Sequence, residues 1–141
     1  MNQTEETFIK TFVARDKRSR WLSLIAKDKT RLKLTQRLSH VFHTDLDSRF
    51  IFDKEEPPTD IKVQVERVLE EWKAADPNQM CHLIADYRDK DGIMMNLQEA
   101  ESDYDLAFGV IIIVIPDKLA FYHPERDNIS RQPCKILFRP G

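Results

Sequence analysis

The chain predicts an α+β fold, with N-terminal helices packed on a C-terminal, mainly antiparallel sheet of about four strands. Three observations carry that expectation. Apolar residues recur at helical spacing from residue 4 to residue 74, the period changes to that of strands from residue 81 to residue 138, and the Pro-rich stretch "DKEEPPTD" breaks the helical part sharply. At 141 residues the chain has the length of a single domain, 1–141, able to bury a core without disulfides or a metal.

In the first segment Phe8, Ile9, Phe12 and Val13 share a helical face behind Thr4, an expected N-cap, with Glu5 and Glu6 favouring the first turn. Asp16 is placed to cap a second helix whose apolar face is Trp21, Leu24 and Ile25. Asp28 is placed to cap a third, with Leu34, Leu38, Val41 and Phe42 on one side and Lys29, Lys33 and Arg37 on the other. Pro57 and Pro58 lack amide donors and push the residues before them out of helical angles, so a new helix begins after them. Thr59 is its expected N-cap, and Ile61, Val65, Val68, Leu69 and Trp72 form the clearest amphipathic stripe in the chain, ending before Asp76-Pro77.

"CHLIADY" reads as the first strand and "RDKDG" as the turn after it, because Asp-Gly supplies the positive φ that reversals need. Asn96 and Glu99 have the spacing of a capping box for a short helix through Glu101 or Asp103. "GVIIIVI" and "LAFYH" then form two strands around Pro116-Asp117, and "CKILF" a further one. Cys81 and Cys134 both open strands, which makes them potential sheet neighbours as well as buried free thiols.

Val110 to Ile115 do not alternate with polar residues, so both faces of that strand must be covered. Either the helices divide between the two faces or a second copy of the chain covers one of them; the reading leans to a homodimer. A bare "VIIIVI" would be an aggregation hazard.

Charge is distributed unevenly. Arg15 to Arg37 holds nine Lys or Arg and two acids, whereas Asp45 to Asp105 holds 17 acids and seven Lys or Arg, which points to electrostatic pairing with a partner or between the halves. Two cysteines fit a reducing compartment, and the opening "MNQTEETFIK" lacks the basic start and apolar centre of a secretory signal, so a cytoplasmic location is expected. The longest apolar run is far short of a bilayer span of roughly 20 residues, and no membrane association is expected.

With three glycines and no Gly-x-Ser-x-Gly elbow, phosphate-cradling loop or dinucleotide fingerprint, the common nucleotide and acyl-transfer chemistries have no sequence basis, and no cofactor is called for. Four constellations remain. Tyr87 to Gln98 places Asp, Asp and Gly at the third, fifth and sixth places of a calcium loop, but Tyr87 and Gln98 occupy two places where carboxylates belong. His40 and His43, three apart and followed by Asp45 and Asp47, are metal-ligand candidates, although Val41 and Phe42 stand where a zinc helix carries its Glu. Arg15, Lys17, Arg18, Arg20, Lys29, Lys33 and Arg37 are nucleic-acid-binding candidates, with Trp21 available to stack on a base or to serve as core. His123, Glu125 and Arg126, with Tyr122 beside them and His82 reaching the same edge if the strands are neighbours, supply the acid, base and cation of a ribonuclease-like site.

The expectation from these features is a non-catalytic binding or adaptor module acting through protein contacts, with a protein partner and a homo-oligomer. The alternative is a phosphate-directed enzyme or nucleic-acid binder using the Arg15 to Arg37 face.

Overall fold

The computed structural model describes residues 2–38, 42–87, 89–103, 109–124 and 134–140; for 42, 43 and 103 it describes the backbone alone. The helical part opens with α1 (Gln3–Phe12), α2 (Arg18–Ile25), α3 (Asp28–Arg37) and the single turn α4 (Phe42–Asp45). Strand β1 (Ile51–Asp53) and helix α5 (Thr59–Ala75) follow, then β2 (Cys81–Ala85), β3 (Met94–Met95), α6 (Leu97–Asp103), β4 (Val110–Ile115), β5 (Leu119–His123) and β6 (Lys135–Phe138).

Helix ends differ from expectation in which residue caps them. Asn2, a stronger capping type than Thr, lies ahead of Thr4 and accepts from Glu5 N at 2.8 Å, so α1 starts one residue after it. Asp16 falls within a 3-10 turn over Arg15–Lys17, while Asp28 and Thr59 are the first residues of α3 and α5 and cap neither. At Asn96 the capping box forms as expected: Asn96 Oδ1 accepts from Glu99 N at 2.8 Å and Asn96 Nδ2 donates to Glu99 Oε1 at 2.9 Å.

Among the described residues the sheet has six strands in the order β1-β6-β5-β4-β2-β3, and every adjacent pair is antiparallel. The four expected strands form its contiguous middle. The two additional ones are three and two residues long at opposite edges, too short to show an alternating pattern. Short edge strands also limit the exposed backbone available for unwanted pairing.

Both faces of β4 are covered by the chain's own helices. Ile111 and Ile113 pack with Phe8, Ile9, Phe12, Trp21, Ile25 and Leu34 of α1, α2 and α3. Val110, Ile112 and Val114 pack in a separate core with Ile61 and Val65 of α5 and Leu97 and Ala100 of α6. The hexapeptide therefore lies between two helical layers and needs no second copy for shielding, which removes the ground on which a homodimer was expected. Cys81 and Cys134 are not sheet neighbours: β4 and β5 lie between the strands that they open.

The charge asymmetry becomes spatial in this arrangement. From Gln3 to Arg37 the layer on one face carries ten Lys or Arg against four acids, whereas α5 and α6 on the other carry seven acids against three Lys or Arg. No helix among the described residues is long and apolar enough to cross a membrane.

Candidate functional site

The most elaborate polar construction joins α1, α3, β2 and the turn after β2. Arg31 on α3 donates from Nη1 and Nη2 to the two oxygens of Glu5, at 3.0 and 2.5 Å, and from Nε and Nη2 to the two oxygens of Asp91, at 2.6 and 3.0 Å. Four of the five guanidinium N–H groups are thus spent on two carboxylates in a planar fork geometry that Lys would not reproduce. His82 Nε2 donates to Glu5 Oε2 at 2.8 Å, and Asp91 Oδ1 also accepts from Ala85 N at 3.1 Å. Burial alone pushes the Glu5 carboxyl up, but the hydrogen bonds and charges of His82 and Arg31 outweigh it and hold Glu5 at about 2. The same carboxylates raise Arg31 against the opposing effect of its burial.

Local sequence explains how Asp91 reaches Arg31. Gly92 takes φ +80°, a conformation open to glycine, and closes the turn so that its N–H bonds Leu83 O at 2.9 Å while Asp91 turns inward. Above this network opens a cleft of about 550 Å³, lined by Asp28, Arg31, Leu32, Asp86, Tyr87 and Asp91 among others. Leu32 is 59% exposed and Tyr87 44%, so two large apolar side chains flank a floor on which three carboxylates meet one already neutralised guanidinium. Such a floor suits a cationic group with an aliphatic stem.

A second buried ion pair accounts for two of the residues weighed for nucleic acid. Asp45 accepts from Arg37 Nε and Nη2, at 2.9 and 2.8 Å, and from Trp21 Nε1 at 3.0 Å. Burial pushes Asp45 up, and its bonds to Arg37 and Trp21 bring it below the usual carboxylate range. Trp21 is therefore core, and Arg37 holds α3 to the segment that follows it. Arg18 Nε donates to Val13 O at 2.9 Å, while Arg15, Arg20, Lys29 and Lys33 are exposed on the basic layer and Lys17 is partly so.

The strand-end candidates are brought into a different chemistry. His123 is 1% exposed, and its Nδ1 lies 2.8 Å from Cys134 Sγ across the β5–β6 pair. Glu125 and Arg126 lie outside the described residues. His82 does not join His123. It pairs with Ile113 and shares the α1–α3 face, whereas His123 pairs with Val110 on the α5–α6 face, three positions further along β4. Tyr122 points to the opposite face from His123 and donates from its hydroxyl to Leu38 O. Burial, reinforced by the nearness of Cys134, pushes its phenol up.

The metal candidates give no geometry: His40 and the side chain of His43 lie outside what is described, and among the described residues no group of three or more His, Cys, Asp or Glu is arranged to hold a metal. Within the stretch that resembles a calcium loop, Asp91 is committed to Arg31 and Asn96 to the cap of α6. Arg31 and Glu5 were absent from the candidates and Asp91 was weighed only as a place in the calcium-like loop, because their mutual contacts span 26 and 60 residues and no local pattern marks them. Comparison with family models, with curated proteins and with solved structures yields no match, so the chemistry of these sites rests on their own geometry.

Proposed function

We propose that the chain is a non-catalytic binding module that recognises a partner protein through the cleft between α3 and the turn after β2, taking up a Lys or Arg side chain. The observation that carries this reading is the pairing of exposed Leu32 and Tyr87 with the carboxylates of Asp28 and Asp86, beside an Asp91 held by Arg31. The carboxylates receive a cationic head, the two apolar side chains cover its methylene stem, and the Arg31 network holds the floor rigid before binding. The free thiols favour a reducing location, the cytoplasm.

The test is fluorescence polarisation with a panel of short labelled peptides differing at one central residue. Peptides with central Lys or Arg are expected to bind, weakening with salt, and Leu32→Ala and Tyr87→Ala to reduce affinity about 5- to 10-fold at little cost in stability. Equal binding of Glu-centred peptides, or binding indifferent to both substitutions, overturns the reading. Light scattering separates a second copy from a different partner: a monomer at micromolar concentration leaves a different protein as the occupant.

A second reading is favoured by the basic layer, where Arg15, Arg20, Lys29 and Lys33 are exposed together on the α2–α3 side. Phosphate binding there predicts affinity for labelled RNA or DNA that falls steeply between two salt concentrations. Absence of salt-sensitive binding removes it.

A further inference from the structure

The two cysteines occupy opposite chemical environments. Cys81 is fully buried in the core under α5, where burial, reinforced by the charge of Glu101, pushes its thiol up to about 12. Cys134 is half-buried at the start of β6, with His123 Nδ1 at 2.8 Å. Its other cross-strand neighbour is Lys54, whose N–H donates to Cys134 O at 3.0 Å and extends the β1–β6 register by one pair. Directly opposed residues of antiparallel strands share a face, so the thiol, the imidazole and the Lys54 side chain project to the same side. That is the α5–α6 side, as Lys54 Nζ confirms by lying 5.0 Å from the centre of the Phe121 ring and 3.4 Å from Glu101 Oε1.

We propose that Cys134 is a nucleophilic thiol, activated by His123 and flanked by Lys54, and is the site at which this chain takes up small soft electrophiles. The imidazole accepts the thiol proton at Nδ1, and the resulting thiolate–imidazolium pair attacks. With iodoacetamide as probe, the S–C bond forms as the C–I bond breaks, iodide leaves and the proton remains on His123; no oxidant enters. Among the described residues, the charged or titratable groups on the thiol's side of the sheet are His123 of β5, Lys54 after β1, and Glu101 of α6 through its pair with Lys54; Tyr122 and Asp53, one position away along their strands, project to the opposite face. Glu101 is engaged by Lys54, so among the described residues the nearest group able to exchange a proton with sulfur is His123.

The experiment is iodoacetamide labelling of the folded chain, read by peptide mass spectrometry at Cys134 and Cys81 from pH 5.5 to 9.5. Cys134 is expected to label with a midpoint at least one pH unit below the ordinary thiol value of about 8.5, with Cys81 unlabelled as the internal control. His123→Gln is expected to slow Cys134 labelling about tenfold at pH 7 and to return the midpoint toward that of a free thiol. A midpoint at or above about 8.5 in the unsubstituted protein overturns the proposal, and that measurement stands even if His123→Gln fails to fold. A folded His123→Gln variant that labels at an unchanged rate overturns it equally.

Discussion

Replacing Arg31 by Met tests the ionic network in a way that separates charge from volume, since the unbranched Met side chain still fills the space of the Arg stem. The substitution removes four charge-assisted hydrogen bonds and leaves Glu5, 2% exposed, facing only His82. Removing one partner of a buried pair costs about 3–5 kcal/mol, because the remaining charge stays desolvated without compensation. Linkage sets the scale for the site as a whole: holding Glu5 at about 2, against 4.5 for the free side chain, corresponds to about 3 kcal/mol at neutral pH, the net of burial opposed by the bonds and charges of both His82 and Arg31. The folded-state value lies below the unfolded one, so this contribution is fully present above pH 4.5 and is lost as pH falls through about 2. At pH 3 roughly 1.4 kcal/mol of it remains. Urea unfolding at pH 7 should therefore show Arg31→Met less stable by about 3 kcal/mol at unchanged m, with the gap narrowing to less than half at pH 3. A loss below about 1 kcal/mol at pH 7, or the same gap at both pH values, would refute the assignment of Glu5 as an ionised buried partner of Arg31.

Ile112→Ala should cost about 3–4 kcal/mol in urea unfolding, because Ile112 is fully buried between β2, β5 and the α5–α6 layer; a cost under about 1 kcal/mol would place that strand nearer to solvent. Asp45→Asn is expected to lose about 2 kcal/mol through the weakened bonds to Arg37 and Trp21, with a change in Trp fluorescence. Gly92→Ala should lose about 1–2 kcal/mol from backbone strain alone, since an added Cβ meets nothing nearer than Arg31 Nη2 at 3.8 Å. A larger loss would show that the strained turn no longer carries Asp91 to Arg31.

Much of the architecture was legible because it follows from local periodicity. The stripe Ile61, Val65, Val68, Leu69, Trp72 and the break at Pro57-Pro58 define α5, and the non-alternating run Val110 to Ile115 announces a strand buried on both faces. Short edge strands escaped, since three residues at Ile51–Asp53 and two at Met94–Met95 carry too little pattern to be told from loop. Of the candidate site residues, His123 was placed at a strand end correctly. Its neighbour was not foreseen, because Cys134 reaches it through register across β5 and β6 and not through spacing along the chain.

The amino-acid order by itself determined the class of fold, the helix and strand periods, the demand for cover on both sides of β4 and the separation of positive from negative segments, all of which depend on residues within a few positions of one another. Only the tertiary structure decided what meets what. It divided the helices between the two faces of the sheet, so that cover came from within the chain, and it brought Glu5, Arg31, His82 and Asp91 into one network and His123 beside Cys134. Those contacts join side chains distant in sequence, and whether a buried charge or thiol finds its partner is set by packing and strand register, which no local pattern encodes.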